Sequence, residues 1–169
     1  IDECFADLTG WDKPFKMSYL EIAEKIKKEI TDELGLSVSV GLASTKVLAK
    51  VASKWQKPNG LTVIEEKNVT EFLSKTSIES IWGIGPRTSE SLKRMGINTA
   101  QDFASKSFRW IEENLSKPYQ VIWHELNSVP VMTIDKEIKD TYSSIQKTRT
   151  FHPPTSDKIF LLSQLSKNI

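Results

Sequence analysis

Residues 78–92 read Ile-Glu-Ser-Ile-Trp-Gly-Ile-Gly-Pro-Arg-Thr-Ser-Glu-Ser-Leu, and this order predicts a helix-hairpin-helix. Ile78 and Ile81 mark one short apolar turn. Gly83 and Gly85 permit φ > 0 in a tight connection, and Pro86 suits the first position of the helix that follows. The unpaired N–H groups of such a hairpin and of a helix N-terminus converge outward, where the helix dipole favours an anion. A phosphate oxygen of duplex nucleic acid fits there without any side chain, a contact that holds the backbone and reads no sequence. A plain Gly-Pro turn between core helices is the competing reading, and the apolar spacing on both sides favours DNA. Gly83, Ile84 and Gly85, with Arg87 and Thr88 at the helix start, are therefore DNA-binding candidates.

Helix-type apolar spacing continues around the hairpin over residues 69–73, 86–95, 100–104, 108–115 and 119–126, which predicts a separate small helical domain. Trp82, Phe103, Trp110 and Trp123 sit in apolar repeats and are predicted to fill its core rather than stack on bases. Upstream, the period changes. Residues 3–8 read as a strand closed by Gly10 and Pro14. Ser18 and Glu21 form a capping box for a helix with Tyr19, Ile22, Ile26, Ile30 and Leu34 on one face, ended by Gly35. Residues 37–41 and 61–64 read as strands on either side of a helix capped by Ser44 and running to about Gln56. Alternating strands and helices predict an α/β layer.

Downstream, residues 128–139 read as a connector and 141–151 as a strand with Lys147 and Arg149 on one side, two further DNA-binding candidates. Pro153-Pro154 breaks that strand. Ser156 is predicted to cap a last amphipathic helix carrying Ile159, Phe160, Leu162 and Leu165.

The chain of 169 residues is 38% hydrophobic, enough for a real core in one domain or two small ones. No apolar run approaches the roughly 20 residues of a membrane span, and no leader-like segment opens the sequence. Cys4 is the only cysteine, which excludes a disulfide scaffold and fits a reducing cytoplasm. His124 and His152 are too few for a metal cluster. The opening at Ile1, inside a strand-like run, predicts a piece of a longer protein.

A net charge of +1 conceals segregation. Residues 1–35 carry nine acids against five lysines, net −4, whereas residues 36–64 carry four lysines and no acid, net +4. At 100° per residue Lys46, Lys50, Lys54 and Lys57 fall within an arc of about 80°, opposite Val47, Leu48, Val51, Ala52 and Trp55. Such a stripe is either a solvated face or a surface for a polyanion that relieves its self-repulsion. Charge alone leaves both open.

Asp2 and Glu3 are adjacent carboxylates. Two-metal phosphoryl transfer needs several carboxylates around ions roughly 4 Å apart. Neighbours in a regular strand point to opposite faces, so a bare Asp-Glu reads more simply as surface charge.

The order of the parts adds to this. Ile1-Asp2-Glu3-Cys4-Phe5-Ala6-Asp7-Leu8, then the run from Gly41 to Ser53, then Lys57-Pro58-Asn59-Gly60, then the Gly83-Ile84-Gly85 hairpin, together resemble the Y-family translesion DNA polymerases. The resemblance implies an α/β palm fragment (a mixed sheet with helices) over residues 1–64. A small all-α thumb with the hairpin over 65–133 follows, and 134–169 is a linker opening an α+β little finger. It implies low-fidelity, template-directed DNA synthesis across damaged template in DNA repair, with primer-template DNA and dNTP as partners and two Mg2+ as cofactor. Asp2 and Glu3 match the catalytic carboxylate pair that binds these ions, and Lys57 matches the lysine on the incoming triphosphate. Gly83, Ile84 and Gly85 match the thumb hairpin, while Lys46 and Lys50 occupy positions assigned to phosphate. Thr45 departs from the asparagine expected at its position, which puts the local hydrogen bonding in question. The segment from Tyr142 to Ile145 resembles the little finger's first DNA-contacting strand.

The same resemblance places another metal-binding aspartate and the fingers ahead of Ile1, and a tail for a sliding clamp after Ile169, so this chain alone is expected to be inactive. Two rival classes remain at the level of sequence. One is a non-catalytic DNA-binding helix-hairpin-helix protein. The other is a nuclease or glycosylase that uses the same hairpin, although a second acidic motif and a lysine nucleophile are lacking.

Overall fold

The computed structural model describes residues 3–134 and 150–166. They belong to two compact units, residues 1–135 and 136–169.

The first unit opens with residues 3–8, which have no strand ladder, contrary to the expected strand. A strand exists through its backbone ladder, and among the described residues no strand is laddered to this segment. A short helix, α1 (Asp12–Phe15), leads to α2 (Tyr19–Leu34). Ser18 and Glu21 close the predicted capping box, and Gly35 ends the helix in the left-handed region at φ 65°. Of the predicted apolar face only Ile22 is fully buried, beside Ala23, while Tyr19 and Leu34 stay exposed.

β1 (Val40–Leu42), α3 (Lys46–Trp55) and β2 (Leu61–Val63) form one β-α-β unit. The strands are parallel, with Val40 opposite Leu61 and Leu42 opposite Val63. β2 ends one residue short of its predicted span, whereas β1 begins three residues later than expected and ends one later. Gly41 is obligatory, because a Cβ there would collide with the main-chain O of Ala49 and N of Ser53. The strand backbone thus lies directly on α3.

The N-cap of α3 is Thr45, not Ser44. Its hydroxyl accepts from the Leu48 amide at 3.4 Å and donates to the Glu125 carbonyl at 2.7 Å. The polar role expected of an asparagine is therefore filled by a threonine.

Helices α4 (Val69–Lys75), α5 (Pro86–Arg94), α6 (Ala100–Ala104), α7 (Phe108–Asn114) and α8 (Lys117–Leu126) follow the predicted spans closely. Val47, Leu48 and Val51 of α3 join Leu73, Leu92, Phe103, Ile111, Ile122 and Leu126 in one continuous core. The expected separation near residue 64 is therefore not a boundary between cores. Glu125 explains much of the join. It is fully buried and accepts from the amides of Val47 (3.2 Å), Val131 (2.9 Å) and Met132 (2.9 Å). One α8 carboxylate thereby serves the N-terminus of α3 and the strap leaving α8, the sign that a helix N-terminus favours.

In the second unit α9 (Lys158–Ser166) is described. Asp157, rather than Ser156, caps it, accepting from Ile159 at 2.9 Å and Phe160 at 3.2 Å. Phe151 packs edge-on against Phe160 with centroids 5.5 Å apart. The expected strand over 141–151, with Lys147, Arg149 and Tyr142, lies outside the described residues except at its end.

Candidate nucleic-acid interface

The hairpin is built as a braced turn. Ile78 donates its amide to the Asn98 carbonyl at 2.9 Å, and Ala100 donates to the Thr76 carbonyl at 2.8 Å, tying the hairpin's entry to the loop before α6. Asp102 holds that loop through the amides of Asn98 (3.0 Å) and Thr99 (2.8 Å). These bonds, Thr99 foremost, lower its carboxyl below the ordinary aspartate value. Ile78, Ile81 and Ile84 anchor the inner side in the core. Ile84 therefore offers its backbone, not its side chain, to any ligand.

Gly83 has φ 91°, and a Cβ there would lie 2.8 Å from Cδ1 of Ile122. Conformation and packing both require glycine. Gly85 differs from expectation, with φ −80° and ψ 169°, an extended cap residue before Pro86. A Cβ on Gly85 would meet nothing within 4 Å. Among the described residues no acceptor takes the amides of Gly83, Gly85, Arg87 or Thr88. These donors flank the positive end of α5, the arrangement that receives an anion. Arg87 is exposed there without an acidic partner among the described residues. Thr88 instead points inward, its hydroxyl 2.7 Å from that of Tyr119.

The lysine stripe is occupied by the fold itself. Lys46 donates to the Thr133 carbonyl and lies 5.6 Å from the centroid of the Phe5 ring. Lys50, 11% exposed, pairs with Glu3. Lys54 donates to the Ser80 carbonyl at 3.1 Å, so the stripe reaches the hairpin. Lys57 is exposed in the turn after α3. The structure thus brings Glu3, Lys46, Lys50, Lys54 and the hairpin onto one side of α3, with Lys57 at its far end. Asp2, Lys147 and Arg149 lie outside the described residues.

Of the predicted carboxylate pair Glu3 is the described member, it is engaged by an ammonium, and no group of three or more metal-type ligands occurs among the described residues. By themselves these residues do not fit a pair of ions, which require several carboxylates.

Two residues escaped the sequence reading. Trp82, assigned to the core, is 41% exposed and rests against Phe5 with centroids 5.5 Å apart and planes tilted by 33°. Its position inside the glycine connection, rather than in an apolar repeat, was the available signal. Glu125 stands three residues after Ile122 and next to Leu126, a carboxylate in the register of a buried stripe.

Comparison with known proteins gives this geometry its family. Residues 1–54 match the impB/mucB/samB family model, and residues 66–97 match the helix-hairpin-helix motif of that same family. The chain belongs to the Y-family DNA polymerases. The second Y-family match spans the braced hairpin from α4 to the turn after α5. Among relatives, the chain is 46% identical over 102 residues to DNA polymerase IV of Clostridioides difficile, covering 60% of this chain and 28% of that one. It is 32% identical over 171 residues to DNA polymerase IV of Dehalococcoides mccartyi, covering 98% and 42%. This Y-family chain therefore spans well under half the length of the curated relatives it matches. Among solved structures it resembles a DinB family error-prone DNA polymerase from Sulfolobus solfataricus (TM-score 0.54, 36% identity, 64% of this chain and 32% of that one). It also resembles a post-insertion binary complex of Dbh DNA polymerase (TM-score 0.60, 34% identity, 72% and 36%). Among the described residues no helix is long and apolar enough to cross a membrane.

Proposed function

We propose that this chain is the portion of a translesion DNA polymerase that clasps primer-template DNA, in a parent that adds dNTPs to a primer. The observation that carries this reading is the Gly83 turn at φ 91°, followed by unpaired amides at the start of α5, inside the matched family motif. Backbone donors fixed by a buried apolar triad bind a phosphate without reorganising, and they grip any sequence alike. That property suits an enzyme that must copy whatever template it meets. The solved relatives include a post-insertion binary complex and an insertion ternary complex of Dbh DNA polymerase, in keeping with DNA and nucleotide as ligands of the parent.

In this reading residues 1–64 are palm, 65–133 thumb and 134–169 the way into the little finger, the palm and thumb sharing one core. Lys57 meets the triphosphate as a point charge on a flexible stem. Asp2 and Glu3 supply part of the acidic site for Mg2+, and the Lys50 ammonium holds Glu3 toward α3. A sliding clamp is a further partner of the parent. The described residues do not complete a metal site, and the roles assigned to this chain are binding and positioning.

The test is made in the full-length parent. Asp2→Ala or Glu3→Ala is expected to abolish primer extension while leaving duplex binding intact, and the isolated 169-residue chain is expected to bind DNA without extending it. Unchanged extension by both variants would contradict the acidic-site assignment.

A further inference from the structure

We propose that Trp82, backed by Phe5, is an apolar contact for the deoxyribose face of the strand whose phosphates the hairpin receives; this rests on the hairpin reading above. An indole left 41% exposed between the buried Ile81 and the obligatory Gly83 needs an explanation, because the same turn buries Ile78, Ile81 and Ile84. Covering it would remove apolar area from water at roughly 25 cal/mol per Å2. The fold covers it only in part, with the Phe5 ring at 5.5 Å. Its ring N–H has no acceptor among the described residues, whereas that of Trp123 donates to the Lys106 carbonyl at 3.0 Å.

The surroundings specify the partner. On the chain after Trp82 come the unpaired amides of Gly83 and Gly85, and behind it Lys46 lies over Phe5 while Lys54 reaches the Ser80 carbonyl two residues earlier. An apolar protein surface would leave those amides without acceptors and would desolvate two ammonium groups that each hold one carbonyl of the fold, at a cost for every group desolvated. A sugar-phosphate strand matches both kinds of group, since each phosphate is flanked by the C–H face of a deoxyribose. One phosphate recurs about every 3.4 Å of duplex axis on each strand, so a hairpin gripping a phosphate brings a neighbouring sugar against the preceding residue. Trp82 is thus the apolar half of a contact whose polar half is backbone. Phe5 links it to the segment carrying Glu3, so the indole sits between the duplex grip and the acidic end of the chain.

The experiment uses the 169-residue chain and a fluorescein-labelled primer-template duplex, followed by anisotropy across a salt series, for wild type, Trp82→Ala and Trp82→Phe. Trp82→Ala is expected to weaken binding about tenfold, in the range of aromatic contacts to nucleotides, with the slope of log affinity against log salt unchanged because no phosphate contact is lost. Trp82→Phe is expected to stay within about twofold of wild type. A second readout does not depend on the alanine variant folding. The emission difference between wild type and Trp82→Phe isolates Trp82 from the other four tryptophans, and DNA is expected to quench it. Wild-type binding with that difference unchanged, or with Trp82→Ala binding as tightly as wild type, would overturn the proposal and leave the hairpin grip standing. No binding by wild type would overturn both.

Discussion

The hydroxyl of Thr45 donates to the main-chain oxygen of Glu125 at 2.7 Å, and the carboxylate of Glu125 in turn accepts from the Val47 amide at 3.2 Å. This reciprocal pair joins the start of α3 to the end of α8, and with them the lysine-bearing helix to the helices that brace the hairpin. Glu125→Ala would strand the amides of Val47, Val131 and Met132 in the interior. Each buried unsatisfied donor costs about 1–3 kcal/mol, so a loss of about 3 kcal/mol or more is expected in urea unfolding. Glu125→Gln, which keeps one acceptor oxygen, is expected to fall between wild type and Ala. Thr45→Ala is expected to cost about 1–2 kcal/mol, since it removes the cap on the Leu48 amide and the donor to the main-chain oxygen of residue 125.

Gly83→Ala should destabilise through two causes at once. A left-handed φ of 91° strains an L-residue by about 1–3 kcal/mol, and the added methyl would press on Cδ1 of Ile122. Ile122→Val removes that methyl, so the double variant is expected to recover part of the loss while the backbone strain stays. Full additivity of the two changes in thermal unfolding would contradict the packing part of the explanation.

The hairpin's brace carries a pH signature. The carboxyl of Asp102 is lowered by the amides of Thr99 and Asn98, so its contribution is fully present above the ordinary aspartate value and is lost as pH falls through the lowered folded value. Asp102→Asn is therefore expected to lower the melting temperature at neutral pH, and the gap to wild type should close in the acid limb. A gap that persisted at low pH would show that the residue acts by shape rather than by charge.

Lysine neutralisation should not be uniform. Among the described residues Lys54 donates to a carbonyl, that of Ser80, while Lys50 pairs with the carboxylate of Glu3. Lys54→Gln is expected to reduce the salt slope of DNA binding by about 0.9, the value for one phosphate contact, and Lys50→Gln by clearly less. Equal reductions would mean that the Glu3 pair opens when DNA binds.

The legible part of this molecule was whatever repeats at helical period or needs a special backbone. Helices α4 to α8, the Ser18–Glu21 box and the Gly83 turn follow from spacing and from glycine chemistry. Failures came where the deciding partner is distant in sequence. Residues 3–8 read as a strand but have no described ladder neighbour, and Ser44 lost the cap to Thr45 because Glu125, eighty residues away, also binds the threonine hydroxyl. Trp82 looked like core for want of any view of Phe5. Gly85 has an ordinary φ, so its glycine is not a backbone requirement. Residue type alone could not show that what it preserves is open space in front of the amides.

That open space offers the most direct test of the backbone grip. Gly85→Ala meets no strain at φ −80° and no neighbour within 4 Å, so folding stability should be unchanged or rise by a few tenths of a kcal/mol, or up to about 1. The new methyl would stand where a phosphate oxygen must approach the Gly85 amide. Measured by anisotropy on the labelled primer-template duplex at fixed salt, Gly85→Ala is expected to bind at least tenfold more weakly than wild type at equal melting temperature. Equal affinity in a folded Gly85→Ala chain would contradict the grip.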